Sequence, residues 1–242
     1  MKNLKVWLVI LPLFTIACSD EYTGEITETA HMTESAKRLT VSAKRLGIGP
    51  DNPANPFDMA GSIHNEILGT LDETTFSSQS IEDITILIDS VSTSYPELVS
   101  LSSYSTLSTR LSEITWIVNN YDAINDVLVA STLGVSARTS FLRFVNSLAL
   151  IANNPYEDIH SMIVSYEESI LTNTEFTTDD KRILLTTTSV VRYSAYRERK
   201  DKDWETSVTK IVATVSGAEQ SLVLGLKMAL IVGICKNNNI TQ

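Results

Sequence analysis

Few residues of this sequence have the type and spacing that chemistry requires, and the histidines come first among them. The chain has three. His160 follows Glu157 by three residues, a spacing that puts both on one helix face and that di-iron bundles use twice, with further glutamates. Here the Glu-x-x-His pattern occurs only once, so we predict no metal site. Glu157 falls where a helix begins, and we expect it to serve as an acidic residue of the first turn. His64 falls on the apolar face of a predicted helix, where we expect a buried, hydrogen-bonded ring.

The motifs of the common catalytic mechanisms are absent from the sequence. It contains no Gly-x-Ser-x-Gly, no Gly-x-x-x-x-Gly-Lys, no Cys-x-x-Cys and no His-Glu-x-x-His. Cys235 lacks a nearby histidine, and its apolar neighbours predict a buried thiol. Carboxylates on separate elements could still converge in the fold, as they do in glycosidases. We therefore predict no catalytic residue, no metal and no cofactor. The sequence favours a protein that is not an enzyme, with a hydrolase as the alternative.

The residue with the clearest chemistry is Cys18. Residues 1–17 carry two lysines and then an apolar run, which is the layout of a secretory signal and is shorter than the roughly 20 residues of a membrane-spanning helix. Ile16-Ala17-Cys18 resembles the end of a bacterial lipobox, in which cleavage before the cysteine leaves its thiol to carry a diacylglycerol. Thr15 stands where that pattern prefers an aliphatic residue. We predict a lipoprotein signal peptide over 1–17 and lipidation at Cys18, with a plain secretory signal as the alternative.

Composition and charge restrict the classes of partner. The chain has 242 residues, of which 43% are hydrophobic, and a formal charge of −10. These values are typical of a globular protein. Removal of residues 1–17 takes away two lysines and no acid, so the charge moves from −10 to −12. Such acidity excludes the broad basic face that nucleic acid requires.

Residues 18–54 are polar and rich in turn formers at their end, and we predict an acidic tether there.

A helical domain is predicted over residues 55–236, before a polar tail over 237–242. Asn55-Pro56-Phe57-Asp58 and Asn154-Pro155-Tyr156-Glu157 share the composition of a helix start, and Thr178-Asp179-Asp180 is a third. Apolar residues recur at helical spacing throughout, without the alternation of strands. We predict an all-α protein, a single bundle of about six to eight helices. The strongest basic cluster lies near a predicted helix end, and we expect its members to be solvated: Arg192, Arg197, Arg199, Lys200 and Lys202.

The segment from Val208 to Ile234 is the most apolar part of that domain. Gly225, Ala229 and Gly233 form a ridge of small residues on one helix face, and such ridges let two helices approach closely. The segment is short for a membrane span and contains Lys227. We therefore predict a core helix, with insertion into a bilayer as the alternative.

One motif resembles a known group of proteins. Residues 55–66 read NPFDMAGSIHNE, which is similar to the Asn-Pro-aromatic-Asp-x-x-Gly-x-x-His-Asn helix start of uncharacterised Bacteroidota-type outer-membrane lipoproteins. Asp203-Trp204 and the tail from Gly217 look similar too. The resemblance implies a helical domain behind a tether and brings no activity with it. Its polar positions are candidates for structural or ligand-binding roles: Asn55, Asp58, His64 and Asn65.

Together these observations predict a lipid-anchored protein of the cell outer membrane, facing the periplasm or the cell surface. Its expected partners are the membrane, through the lipid on Cys18, and a protein or glycan ligand. Nucleic acid is not expected. The alternatives are the hydrolase named above and a membrane-active protein that uses its Gly/Ala-rich C-terminal helix.

Overall fold

The architecture is a bundle of ten α-helices and one short 3-10 helix, in a computed structural model that describes residues 48–72, 80–101, 107–120, 123–198 and 204–241. No strand occurs in those ranges, so the predicted all-α class is confirmed, although the helices are more numerous than predicted. The signal peptide, Cys18 and most of the predicted tether lie outside the described residues. The helices are α1 Met59–Asp72, α2 Ile81–Ser92, α3 Pro96–Leu101, α4 Leu111–Asn119, α5 Ile124–Ala130, α6 Val135–Ile151, α7 Tyr156–Thr172, α8 Thr178–Arg197, α9 Trp204–Ala218 and α10 Leu222–Asn237, with the 3-10 helix at Leu107–Arg110.

Two of the three predicted helix starts coincide with the first residue of a helix. α8 begins at Thr178, where Thr177 and Asp180 form a capping box. The Thr177 hydroxyl accepts from the Asp180 amide at 3.0 Å, and the Asp180 carboxylate accepts from the Thr177 amide at 2.9 Å. α7 begins at Tyr156, directly after Pro155, with two acidic residues in its first turn.

The third predicted start is wrong by several residues. Asn55 does not cap a helix, because α1 begins only at Met59 and the residues before it form turns. The Asn55 carboxamide oxygen accepts from the Phe57 amide at 2.8 Å, which is a local turn contact. Its Nδ2 donates to Glu167 on α7 and to the Leu185 carbonyl on α8. The side chain of Asn55 is therefore held by tertiary contacts and does not act as a helix cap.

Helix α10 lies in the interior. Every residue from Leu222 to Cys235 except Lys227 is buried, so the predicted core position is confirmed. The prediction of one core helix over residues 208–234 is wrong, because the segment forms two helices, α9 and α10, with residues 219–221 between them. α10 packs against α1, α2, α4, α8 and α9. Cys235 is a free thiol, and burial raises its pKa to about 12, so it behaves as the buried apolar residue that its neighbours predict. Within the described ranges no helix has the length and apolar character needed to cross a membrane.

The small-residue ridge lets α9 and α10 pack closely. A Cβ atom on Gly217 would lie 2.7 Å from the backbone of Gly225, and a Cβ atom on Gly225 would lie 3.0 Å from the Ala218 nitrogen. Both glycines are therefore required by the close approach of the two backbones. Gly233, at the far end of the ridge from Gly225, gives room to the aliphatic stem of Lys210.

Packed residues occur on both sides of the predicted 55–236 range. Asn52 is buried and bonds to α7, although it falls in the predicted tether. Ile240, in the predicted polar tail, is also buried, and its amide donates to the Cys235 carbonyl at 2.8 Å. The packed domain therefore includes residues on both sides of the predicted range, in segments for which the sequence predicts exposure to solvent.

Candidate functional site

The four motif residues Asn55, Asp58, His64 and Asn65 lie together beside α8. Asn55 and Asp58 belong to the turns before α1, and the other two lie on α1 itself. Each of them except His64 makes a hydrogen bond or ion pair to α7 or α8. The grouping in sequence therefore corresponds to a grouping in space.

Glu167 of α7 is the acceptor at the centre of this cluster, and its side chain is fully buried. Asn52 Nδ2 donates to Oε2 at 2.6 Å, and Asn55 Nδ2 donates to Oε1 at 2.8 Å. Arg192 Nη2 lies 3.3 Å from the same Oε1. A buried carboxylate is strongly destabilising unless it is paired and hydrogen-bonded, and these three donors meet that requirement.

Arg192 of α8 joins Glu167 to Asp58. Its side chain is fully buried, and its Nη2 pairs with both carboxylates. Burial lowers the pKa of Arg192, but the adjacent carboxylates outweigh it, so that the pKa is raised overall. We call this set of five residues the polar latch, since it ties the chain before α1 to α7 and α8: Asn52, Asn55, Asp58, Glu167 and Arg192.

Further bonds hold α1 directly against α8. Asn65 Nδ2 donates to the Tyr193 carbonyl at 2.9 Å, and the Tyr193 hydroxyl donates to Asp58 at 3.1 Å. The Ser189 hydroxyl donates to the Asp58 carbonyl at 2.8 Å and accepts from the Gly61 amide at 2.9 Å. The motif residues therefore fix the position of α1 on α8.

His64 is buried as predicted, but the expected hydrogen bond is absent. Neither ring nitrogen has a partner with hydrogen-bond geometry. Burial, followed by the positive charge of Lys210, lowers the pKa of His64 to about 3. The ammonium of Lys210 is engaged with Glu198 and does not bond to the ring. His64 is therefore neutral at physiological pH and fills space in the core.

The polar latch brings two carboxylates together, as a hydrolase requires, but both are engaged by the protein. Both oxygens of Glu167 accept from amides, and Asp58 accepts from Arg192 and Tyr193. A catalytic pair needs a carboxyl group free to exchange a proton with substrate. Nor do three His, Cys, Asp or Glu side chains of the described chain converge as metal ligands. The geometry of the latch is that of a structural element.

Several buried polar atoms around Arg192 have no protein partner. They are Nε and Nη1 of Arg192, the Tyr156 hydroxyl and His160 Nε2. Burial, followed by the charge of Arg192, lowers the pKa of His160, so its ring is neutral at physiological pH. Buried atoms of this kind are commonly satisfied by ordered water, and we expect water at this place.

An open groove runs between α6 and α7. It consists of two adjoining depressions of about 520 and 270 Å³ that share Ser140 and Arg143. The stacked rings of Phe144 and Tyr166, with centroids 4.2 Å apart, lie at one end of it. Its polar lining includes Ser136, Thr139, Ser140, Ser147 and Asn173. We call it the α6–α7 groove.

Arg143 lies where the two depressions meet and is exposed. Among the described residues, every other lysine or arginine has a hydrogen bond, an ion pair or another electrostatic interaction, and Arg143 has none. The Ser147 hydroxyl is likewise without a partner, and Asn173 uses only its Oδ1, which accepts from the Glu175 amide at 2.8 Å. The groove thus presents a guanidinium, a hydroxyl and an amide that are free to bind.

These residues differ in how far they can be recognised from the sequence. Glu167 occupies the apolar stripe of α7, between Ile163 and Ile170, and a carboxylate in such a stripe is a signal for a buried polar cluster. The prediction that Arg192 belongs to a solvated basic cluster is wrong, because Arg192 is buried and paired with the buried carboxylate of Glu167 and the partly exposed carboxylate of Asp58. Nothing in the sequence distinguishes Arg143, since its unpaired state depends on the packing of its neighbours.

No protein-family model, curated protein or solved structure matches this chain. The fold and the groove therefore supply the basis for a functional proposal.

Proposed function

We propose that this protein is a lipid-anchored protein of the bacterial outer membrane whose helical body binds an acidic glycan in the α6–α7 groove. The observation that carries the proposal is the unpaired guanidinium of Arg143 in an open groove whose larger depression is lined mainly by polar groups. Guanidinium groups bind carboxylates through two parallel hydrogen bonds, and uronic acids carry such carboxylates on a ring rich in hydroxyls.

The location is proposed from the sequence. Residues 1–17 have the layout of a signal peptide, and Cys18 stands at the end of a lipobox-like stretch. The acidic, turn-rich segment that follows is typical of a tether between an anchor and a folded body. The motif at residues 55–66 adds its resemblance to outer-membrane lipoproteins.

A glycan fits the groove better than a peptide does. Hydroxyls and an amide line the groove beside Arg143, and they match the hydroxyl groups of a sugar chain. A peptide partner commonly inserts an aromatic or apolar anchor into a dry pocket, whereas this lining is largely polar where the groove is widest. The formal charge of the chain is −10, so an anionic ligand needs this local cation to overcome general repulsion.

Binding is tested by calorimetric titration with oligogalacturonate, beside a neutral oligosaccharide of equal length. We expect Arg143→Ala to weaken uronate binding roughly tenfold to a hundredfold, because a hydrogen bond to a charged group contributes about 1.5–3 kcal/mol. Arg143→Lys should recover only part of the affinity, since it cannot bind in a bidentate manner. Asn146→Ala, an exposed change on α6 outside the groove lining, is the matched control. Equal binding of the neutral sugar, or full affinity in Arg143→Ala, contradicts the proposed ligand.

The anchor is tested separately in cells. Incorporation of labelled palmitate into the native chain, and its loss in Cys18→Ala, are the expected results. Protease digestion of intact cells then distinguishes a body on the cell surface from one in the periplasm. A chain that takes up no palmitate and is released in soluble form contradicts the anchor without bearing on the groove.

A further inference from the structure

A second cavity, partly open to solvent, lies among α6, α7, α8 and α9. Its volume is about 60 Å³. Leu148, Ile159, Val190 and Val191 supply apolar walls from three of these helices. A space of this size holds a few non-hydrogen atoms, and apolar walls disfavour filling it with water alone. We call it the inner cavity.

The inner cavity has one polar atom in need of a partner, the hydroxyl of Ser194. Ser194 is 6% exposed, lines the cavity and makes no side-chain hydrogen bond. Two other buried hydroxyls of α8, those of Thr187 and Thr188, are satisfied by the backbone of their own helix, whereas Thr186 Oγ1, which does not line the cavity, also has no partner. Thr187 donates to the Ile183 carbonyl at 2.8 Å, and Thr188 donates to the Leu185 carbonyl at 3.2 Å. The Ser194 hydroxyl is thus left available to a molecule inside the cavity.

The charged groups at the cavity wall are already paired. Lys210, which is 3% exposed, forms an ion pair with Glu198. The Glu198 side chain is 22% exposed and marks the side of the cavity nearest solvent. Because the two charges neutralise each other, the cavity has no net charge to offer, and a charged ligand would be buried without a partner.

We propose that the inner cavity binds a small uncharged amphiphile: a short alkyl group against Leu148, Ile159, Val190 and Val191, with one hydroxyl or carbonyl group hydrogen-bonded to Ser194 Oγ. This site is separate from the α6–α7 groove and does not depend on the function proposed for it. Small-molecule sites are mostly apolar and use a small number of polar groups to orient the ligand, and in the inner cavity Ser194 supplies such a group.

The test uses 1-butanol as the probe, added to the mature chain carrying Cys18→Ala. Binding is followed by the NMR methyl signals of Ile159, Val190 and Val191. We expect saturable shifts confined to methyl groups around the cavity. Ser194→Ala should weaken the binding of 1-butanol roughly fivefold, the effect of losing one hydrogen bond between neutral groups. Xenon, which needs volume and no hydrogen bond, should bind Ser194→Ala as well as it binds the native chain.

A filled cavity supplies the second variant. Ala195→Leu places a larger side chain at the cavity wall and should abolish the binding of both probes, whereas Ala149→Leu, at an exposed position on α6, should change neither. Unchanged methyl spectra in the absence of probe, away from the substituted site, show that a variant is folded. The proposal is overturned if the shifts do not saturate, if Ser194→Ala binds 1-butanol as tightly as the native chain, or if Ser194→Ala weakens 1-butanol and xenon equally.

Discussion

Replacement of His64 by leucine should change how the stability of the protein depends on pH. His64 is fully buried on α1, and burial and then the charge of Lys210 lower its pKa from 6.5 to about 3. In the unfolded chain the ring is protonated when the pH falls below its ordinary pKa of 6.5. In the folded chain it is protonated only when the pH falls to about 3. The unfolded state therefore binds more protons across this window, and stability falls as the pH is lowered.

The size of the effect follows from the two pKa values of His64. Between about pH 7.5 and about pH 5, a shift from 6.5 to about 3 lowers the free energy of unfolding by about 2 kcal/mol. Leucine has a volume close to that of histidine and takes up no proton. Neither ring nitrogen has hydrogen-bond geometry to a partner, and the nearby Asn65 side chain keeps its bond to the Tyr193 carbonyl, so His64→Leu costs little in lost hydrogen bonding. We expect the variant to be as stable as the native chain near pH 7.5, or more stable, and to lose about 2 kcal/mol less on acidification.

Urea unfolding followed by far-UV circular dichroism, repeated across that pH range, measures this difference. Carboxylates titrate in both proteins, so their contribution cancels in the comparison. His160→Gln is a control at a histidine whose burial is incomplete, and it should remove less of the pH dependence. If His64→Leu and the native chain lose stability in parallel as the pH falls, the ring is protonated in the folded state and the reasoning is refuted.

Two further substitutions test the packing of α1 on α8. Gly61→Ala should destabilise the protein by about 1–3 kcal/mol, because the added Cβ atom would lie 2.4 Å from the Tyr193 ring. Gly69→Ala should stabilise it by up to about 1 kcal/mol, because the added Cβ atom meets nothing within 4 Å and alanine has the higher helix propensity. Chemical denaturation of the two variants gives both values, and equal effects would contradict the close approach of the helices. Arg192→Met should cost about 3–5 kcal/mol, chiefly by leaving the fully buried Glu167 without its cation, and the partly exposed Asp58 also loses its partner. Adding Glu167→Gln should recover part of that loss, and no recovery would mean that charge is not its cause.

The helical class could be predicted because the helices have local signals. Thr177, Thr178 and Asp180 give the start of α8 from three neighbouring residues, and the apolar run of α10 gives its buried position. Asn55 shows where that reasoning fails. Its sequence context is that of a helix cap, but its carboxamide donates to Glu167 and Leu185, more than a hundred residues away. Contacts of such separation leave no trace in a local pattern.

Site residues were predictable only in part, for the same reason. The motif indicated Asn55, Asp58 and Asn65, which do lie together. It could not indicate their partner Arg192, because an arginine near the end of a helix is ordinarily solvated. Neither Arg143 nor Ser194 differs in sequence from any exposed arginine or helical serine. What distinguishes them is a missing partner, and partners are known only when the helices are assembled.

The central position of α10 has a consequence for the order of events during synthesis. α10 follows every other described helix in the sequence, yet α1, α2, α4, α8 and α9 all pack against it. The buried residues of α5 to α9 share an apolar cluster that contains no residue of α10, so this part can pack while the chain is being made. The other cluster, which joins α1, α2 and α4, lacks its centre until residues 222–235 arrive. A ribosome that still holds α10 therefore holds a chain in which the apolar faces of α1, α2 and α4 are uncovered, and these helices reach their final packing only after α10 is released.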